Sequence, residues 1–212
     1  MKSGCGCGCG TIVLLGLLVG AAIWLGSGIF ERPAIRHELG SPADGRRAQQ
    51  KLFDLTARGT SRDRRTLVTL SEPELNALLN RHVPGGQLPL DEMGIRLVGD
   101  GIVEVTGRLP LHALWGDRVK GALGLLPERW AATPVWVRLR GPVQLELGTG
   151  RGQRRMLRLD VRYLSLGRRR FPTALLGVLP EGPVLRTTRW PVPETVEAVT
   201  VEPGRLTITT RP

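Results

Sequence analysis

The spacing of apolar and polar residues along the chain predicts strands more clearly than helices. Residues 135–147 and 156–166 place apolar and polar side chains at alternate positions, which is typical of a half-buried strand. In the first of these segments, Trp136, Arg138 and Arg140 occupy the polar positions. Two strands of this kind indicate a sheet with one face in a core and one face in a polar environment.

Two hairpins are predicted from turn residues that separate β-prone segments. Residues 95–109 contain an Asp-Gly pair at 100–101, and residues 196–210 contain a Pro-Gly pair at 203–204. A glycine-rich basic connector at 148–152 is followed by a strand, whereas a phosphate-binding loop needs a helix after it. We therefore interpret the connector as a hairpin loop and expect a mainly antiparallel sheet.

Residues 67–81 are predicted to form a strand that leads directly into a short amphipathic helix. Ser71 and Glu74 have the spacing of a capping box, in which each side chain accepts a backbone N–H at the start of the helix. The apolar side chains of this helix share one face: Leu75, Leu78 and Leu79. That face either packs into the core or covers a groove for lipid, and the sequence leaves both readings open.

Besides an ambiguous pattern over residues 111–130 that favours a helix, two further helices are predicted on either side of this segment. One covers residues 46–58, with Asp44 as its N-cap. The other, over residues 173–179, is apolar and contains Leu175 and Leu176. Three arginines precede it: Arg168, Arg169 and Arg170. Such a cluster either holds anionic lipid at a surface or forms a solvated turn.

The uncharged apolar segment at residues 11–30 is long enough to span a bilayer as a helix. A cleaved signal peptide is the alternative, but the apolar run is longer than a usual signal core, which favours an uncleaved anchor. We expect residues 1–10 to form a cytoplasmic Cys/Gly tail and residues 31–45 to form a linker. Residues 46–212 would then form an extracytoplasmic domain attached to the cell membrane by a single pass.

All three cysteines of the chain lie in the predicted tail, at Cys5, Cys7 and Cys9. The remaining residues therefore contain no disulfide framework. The cysteines precede the apolar segment, whereas a lipoprotein cysteine follows one. Acylation, metal binding and a reduced flexible tail remain as alternatives.

The net charge of +11 suits a partner such as anionic lipid head groups or nucleic acid, but 27 of the 30 basic residues are arginine, which indicates a GC-rich genome as much as a function. The basic residues are scattered along strands rather than clustered in a block, so we expect no nucleic-acid partner. Residues His37, His82 and His112 lack metal-ligand spacing, and Ser165 lacks the glycine that precedes a nucleophile elbow. We therefore expect no metal site, no cofactor and no enzymatic activity.

Four features in order resemble those of YpmS-like membrane-anchored bacterial proteins and, more loosely, tubular lipid-binding domains. They are the anchor segment, the Lys-Leu-Phe-Asp-Leu helix at 51–55, the strand and helix at 68–79, and the Leu-Ser-Leu-Gly-Arg-Arg-Arg-Phe-Pro segment with the leucines that follow it, at 164–176. The resemblance covers most of residues 46–210. It implies a long curved antiparallel sheet wrapped on a helix, with an apolar groove for acyl chains and no catalytic residues.

The sequence therefore predicts an α+β protein with an N-terminal transmembrane helix followed by a curved antiparallel sheet packed on a few short helices. Its expected function is to bind lipid or another hydrophobic ligand outside the cytoplasm. The predicted binding residues are Leu75, Leu78, Leu79, Arg168, Arg169, Arg170, Leu175 and Leu176. The alternative function is a non-catalytic envelope scaffold that docks a hydrophobic protein partner.

Overall fold

The computed structural model describes residues 28–33, 38, 40–58, 66–82, 90–110, 132–146, 155–174 and 188–211. The predicted cysteine tail lies outside these residues, and so does the predicted transmembrane segment, apart from its last three positions. Of the predicted apolar helix over 173–179 only the first two residues are described, and the predicted helix over 111–130 lies outside the described residues. Among the residues described, no helix combines the length and the apolarity that a bilayer crossing requires.

Two helices and ten strands are complete within the described residues. Helix α1 spans Pro42–Arg58 and helix α2 spans Glu72–His82. The strands in chain order are β1 (Leu67–Ser71), β2 (Asp91–Gly99), β3 (Ile102–Pro110), β4 (Pro134–Glu146), β5 (Met156–Leu159), β6 (Tyr163–Leu166), β7 (Arg169–Phe171), β8 (Arg189–Pro191), β9 (Val196–Glu202) and β10 (Arg205–Thr210).

The strands form two sheets in which every pairing is antiparallel. The smaller sheet has the order β1-β10-β9. In the larger sheet, β2 pairs with β3 and β3 pairs with β4. The sheet then branches at β4, because the two halves of this strand have different partners. One half pairs with β5, which pairs with β8, and the other half pairs with β6, which pairs with β7. The expected α+β architecture with a mainly antiparallel sheet is confirmed. The strands predicted as a curved antiparallel sheet are divided, among the described residues, between these two sheets.

Both predicted hairpins are present, and their turns join the two sheets. Asp100 and Gly101 have φ angles of 52° and 75°, the left-handed conformation that a two-residue type I′ turn requires. The Gly101 N–H donates a hydrogen bond to the Val201 carbonyl over 3.1 Å, and the Gly204 N–H donates one to the Leu97 carbonyl over 3.0 Å. The turn of each hairpin therefore bonds to a strand of the other.

Helix α1 begins four residues earlier than the sequence analysis predicts. The Ser41 N–H donates to Asp44 Oδ2 over 2.8 Å, and the Asp44 N–H donates to Ser41 Oγ over 3.2 Å. This is a capping box in which Ser41 is the N-cap and Asp44 is the third helical residue. The prediction of Asp44 as the N-cap is therefore wrong. Hydrogen bonds from Ser41, above all, and then from Arg47 lower the pKa of Asp44 to about 2.

The capping box predicted for α2 is confirmed, and it also links the two helices. The Ser71 N–H donates to Glu74 Oε2 over 2.8 Å, and the Glu74 N–H donates to Ser71 Oγ over 3.4 Å. Lys51 of α1 donates from Nζ to the same Glu74 oxygen over 2.8 Å. Burial raises the pKa of Glu74, but Lys51 and Ser71 together outweigh it and hold this pKa below its ordinary value. Glu74 is therefore ionised in the fold and stabilises the contact between the helices.

Side chains of α2 occupy the free edge of the large sheet. Glu72 Oε2 accepts the Leu97 N–H over 2.9 Å. Asn76 Oδ1 accepts the Ile95 N–H over 2.7 Å, and Asn76 Nδ2 donates to the Ile95 carbonyl over 2.9 Å. These bonds replace those that a neighbouring strand would make, so α2 protects the edge strand β2 from pairing with another chain.

The strand predicted over residues 156–166 is interrupted by a one-residue bulge. The register pairs Val143 with Leu159 but Arg140 with Tyr163, so β4 has two residues between these pairs where the opposing chain has three. Gly141 lies opposite the bulge, where an added Cβ would lie 1.8 Å from the Asp160 carbonyl oxygen. The extra residue reverses the faces of β6. Leu164 and Leu166 therefore enter the core, and Tyr163 points to the opposite face.

The core lies between the large sheet, the small sheet and α2. Its main cluster comes mostly from β2, β3, β4 and β6, with Val201 of β9. A smaller cluster forms between α1 and β1 from Ala48, Leu55, Val68 and Leu70. Leu75 of α2 packs against both clusters and so connects them.

Candidate functional site

The face of the large sheet that points away from the core is polar and basic. Val105 of β3, Val137 of β4 and Leu164 of β6 enter the core, so their neighbours along each strand point outward. We call the outward set the arginine face, and its members are Glu104, Thr106, Arg108, Trp136, Arg138, Arg140, Tyr163, Ser165 and Arg170. Residues from four adjacent strands thus form one face of the sheet, and four of them are buried: Glu104, Thr106, Trp136 and Ser165.

A buried ion pair lies in the middle of the arginine face. Arg138 Nη2 of β4 donates to Glu104 Oε2 of β3 over 2.7 Å. The Glu104 side chain is 1% exposed and that of Arg138 is 25% exposed. Thr106, directly opposite Arg138, is buried as well. The attraction between the two charges is therefore weakly screened by water, but both have given up much of their hydration.

Three buried polar atoms of this face have no hydrogen-bond partner within the part of the chain that the structure describes. They are Glu104 Oε1, Arg108 Nε and Arg138 Nε. A buried donor or acceptor without a partner costs about 1–3 kcal/mol. Because folded proteins satisfy nearly all such groups, three in one place distinguish this face from the rest of the sheet.

Arginines stack on both aromatic rings of the face. The guanidinium carbons of Arg32 and Arg108 lie 5.1 and 5.7 Å from the centre of the Trp136 ring. Those of Arg170 and Arg138 lie 5.0 and 5.6 Å from the centre of the Tyr163 ring. Each contact of this kind contributes about 0.5–1 kcal/mol at an exposed site. The rings also restrict where the guanidinium groups point.

The basic charge of this surface exceeds its acidic charge. With Arg32 it presents five arginines, against the carboxylates of Glu104 and of Glu92, whose Oε1 lies 2.5 Å from Arg108 Nη1. Arg140 and Arg170 have no carboxylate partner among the described residues. The face therefore suits an anionic group, and planar guanidinium groups bind phosphate oxygens in pairs.

The leucines predicted to bind lipid lie elsewhere. Leu75, Leu78 and Leu79 are half-buried, and each packs against at least one core cluster. Most of the face that they form is thus used to join α2 to the sheets. The predicted residues Leu175 and Leu176 lie outside the described residues.

The three predicted arginines do not form one patch. Arg168 is in the β6–β7 turn, where its Nη1 lies 2.9 Å from Glu31 Oε2. Arg169 and Arg170 are successive residues of β7, so they point to opposite faces of the sheet. Only Arg170 belongs to the arginine face. Helix α2 packs against β2, and four strand spacings of about 4.8 Å separate β2 from β7. The arginines of β7 and the leucines of α2 therefore lie roughly 19 Å apart across the sheet.

Sequence reasoning placed Trp136, Arg138 and Arg140 on one strand face but did not assign them to a site. Their alternation with Val135 and Val137 was the available signal. Nothing in the sequence paired Arg138 with Glu104, because these residues lie on different strands whose register depends on the whole sheet. The alternation over residues 156–166 predicts Tyr163 on the same face as Leu159, and the bulge places it on the opposite face.

No group of three or more His, Cys, Asp or Glu side chains in the described ranges could hold a metal ion. No family model matches the chain, and no curated protein or solved structure is significantly similar to it. The geometry of the arginine face is therefore the basis for the functional proposal.

Proposed function

We propose that this chain is a membrane-anchored, non-catalytic protein whose extracytoplasmic domain binds lipid, with the arginine face contacting the phosphate of the head group. The observation that carries the proposal is the convergence of five arginines and two aromatic rings on one side of the sheet. The apolar segment at residues 11–30 supplies the anchor. An anchored domain meets head groups at high local concentration.

The partly covered position of the arginines supports phosphate binding over loose attraction to a charged surface. Arg138 is three-quarters buried, and Arg108 and Arg140 are half-buried. Hydrogen bonds between a guanidinium and a phosphate are stronger where water is excluded. The Leu175 and Leu176 side chains remain the predicted contacts for an acyl chain.

The test uses the full chain in detergent micelles with added phosphatidylglycerol, and native mass spectrometry counts the lipids bound to each protein. We expect the double variant Arg140→Gln/Arg170→Gln to lose most of the bound lipid. The control, Arg158→Gln/Arg162→Gln, removes the same charge from exposed positions on β5 and the following bulge. Equal loss in both variants would show that only net charge matters, and no binding by the wild type would refute the proposal.

A second candidate is an envelope scaffold that docks a protein partner. It is favoured by Phe53 of α1 and Leu67 of β1, which are 66% and 65% exposed. Phe53 lies on α1 and Leu67 on an outer strand of the small sheet, so neither belongs to the arginine face of the large sheet. A photo-crosslinking residue at position 53 should then give one discrete adduct in cells. The adduct should disappear in Leu67→Ser and be absent when the crosslinker is at position 158.

A further inference from the structure

Residues 28–32, which we call the joint, attach the end of the apolar segment directly to the large sheet. Gly28, Ile29 and Phe30 are the last residues of that segment, and a helical backbone conformation ends at Ile29. In the β6–β7 turn, the Arg168 N–H donates to the Gly28 carbonyl over 2.9 Å. Ile29 packs against the main core cluster. The end of the apolar segment is therefore part of the folded domain.

The next two residues of the joint reach the arginine face. Glu31 Oε2 lies 2.9 Å from Arg168 Nη1, and the Arg32 guanidinium stacks on the Trp136 ring. Ile29 thus lies on the core side of the sheet and Arg32 on the opposite side. The joint therefore crosses the end of the sheet beside the β6–β7 turn.

The close approach of the joint to this turn depends on Gly167. The residue has a φ angle of 55°, and an added Cβ would clash with the carbonyl oxygens of Gly28 and Ile29. Glycine therefore lets the two backbones pack at a separation that no larger residue permits. This contact fixes the direction in which the apolar segment leaves the domain.

The length of the apolar segment places the joint at the surface of a bilayer. About 17 residues of the segment precede Gly28, and as a helix they cover roughly 26 Å. The hydrocarbon core of a bilayer is about 30 Å thick. The Phe30 side chain is 38% exposed, and aromatic side chains are enriched at the membrane interface.

We infer that the joint holds the β6–β7 turn against the head groups of the membrane that carries the anchor. The inference rests on the proposed function, because it takes residues 11–30 as an uncleaved anchor and names the bilayer that supplies the lipid. Around the joint and the turn there are four arginines and one carboxylate, which suits anionic phospholipid: Arg32, Arg168, Arg169, Arg170 and Glu31. The arginine face, which Arg32 adjoins, takes its lipid from the same leaflet.

Quenching by a labelled lipid tests how close the turn lies to the bilayer. The full chain, with Cys5, Cys7 and Cys9 replaced by serine, carries a bimane label at Arg168→Cys. It is reconstituted into phosphatidylglycerol nanodiscs that contain a lipid with a nitroxide on its head group. The comparison site is Asp100→Cys, an exposed residue of the β2–β3 turn about 20 Å or more away along β3. We expect strong quenching at position 168 and little at position 100, and equal quenching would overturn the inference.

An insertion separates the effect of the joint from simple attraction of the turn to lipid. About ten glycine and serine residues between Ser27 and Gly28 leave every contact of the joint in place but detach it flexibly from the anchor. We expect most of the quenching at position 168 to be lost. The same insertion between Gly10 and Thr11, on the predicted cytoplasmic side, is the control and should leave the quenching unchanged. Unchanged quenching after the first insertion would refute the role of the joint.

The substitution Gly167→Ala disrupts the joint from the side of the turn and should also reduce the quenching. The matched control is Gly204→Ala, because Gly204 has a similar φ angle of 69° in another hairpin turn, with no atom within 4 Å of an added Cβ. Equal loss in the two variants would contradict the role of the joint. If Gly167→Ala does not fold, the insertion decides the question.

The lipid count by native mass spectrometry separates this inference from the proposed function. Bound phosphatidylglycerol without quenching at position 168 would leave lipid binding intact and refute the joint. Quenching without bound lipid would support the joint and refute lipid binding by the arginine face. A soluble, shortened product that lacks the anchor would refute both.

Discussion

The substitution Asn76→Ala tests whether α2 protects the edge of the large sheet. Asn76 is 1% exposed and forms hydrogen bonds with both backbone groups of Ile95. Its Nδ2 also donates to the Glu38 carbonyl over 3.0 Å. Alanine retains the helix but removes all three bonds at once. The change therefore removes the Asn76 contact between α2 and β2 together with the bond to Glu38.

The expected cost follows from the groups left without partners. The Ile95 N–H and carbonyl lie in a partly buried edge, and each costs about 1–3 kcal/mol when unpaired. Glu38 is exposed, so water can replace Asn76 at its carbonyl. Alanine recovers about 0.5 kcal/mol through its higher helix propensity. The free energy of unfolding should therefore fall by about 1.5–5.5 kcal/mol.

The assay is urea denaturation of the full chain in nonionic detergent, with unfolding monitored by tryptophan fluorescence. With a slope of roughly 2 kcal/mol per molar urea, the midpoint should fall by about 1 M or more. Asn80→Ala is the matched control, because Asn80 is an exposed residue of the same helix. Its free energy of unfolding should change by less than about 0.5 kcal/mol, which moves the midpoint by less than about 0.25 M. Equal shifts in the two variants would refute the role of Asn76 at the sheet edge.

Three other changes test separate features. Folding lowers the pKa of Glu74 below its ordinary value of 4.5. The Glu74 ion pair therefore stabilises the fold fully above pH 4.5, and this stabilisation is lost as the pH falls through the lowered pKa. The difference in urea midpoint between wild type and Glu74→Gln should therefore shrink between pH 7 and pH 3.5; a constant difference would contradict this. Gly141→Ala should lower the free energy of unfolding by about 3 kcal/mol or more, because the added Cβ would clash with the Asp160 carbonyl. The control, Gly45→Ala in α1, should leave this free energy unchanged or raise it. A phosphatase fused to the C-terminus should be active in the membrane fraction if residues 11–30 form an uncleaved anchor; activity in a soluble, shortened product would show cleavage.

The sequence alone determined the features that depend on residues close together in the chain. The capping box of Ser71 and Glu74 and the turn at Asp100-Gly101 were predicted correctly, because their hydrogen bonds and dihedral angles are set within three or four residues. The start of α1 was equally local. Ser41 and Asp44 have the same spacing as the other capping box, and the sequence analysis assigned the cap to the wrong member of the pair.

The tertiary structure decided what depends on the pairing of distant segments. The bulge opposite Gly141 reverses the faces of β6, and no local pattern marks it, because it arises from the register of β6 against β4. For the same reason, the leucines of α2 were predicted as a candidate lipid surface although most of their face joins two core clusters. The arginine face forms only when four strands align, and that alignment brings Glu104 to Arg138 from 34 residues away. Alternation along a strand fixes which side chains share a face, whereas their partners across the face are fixed by register, which is a property of the whole sheet.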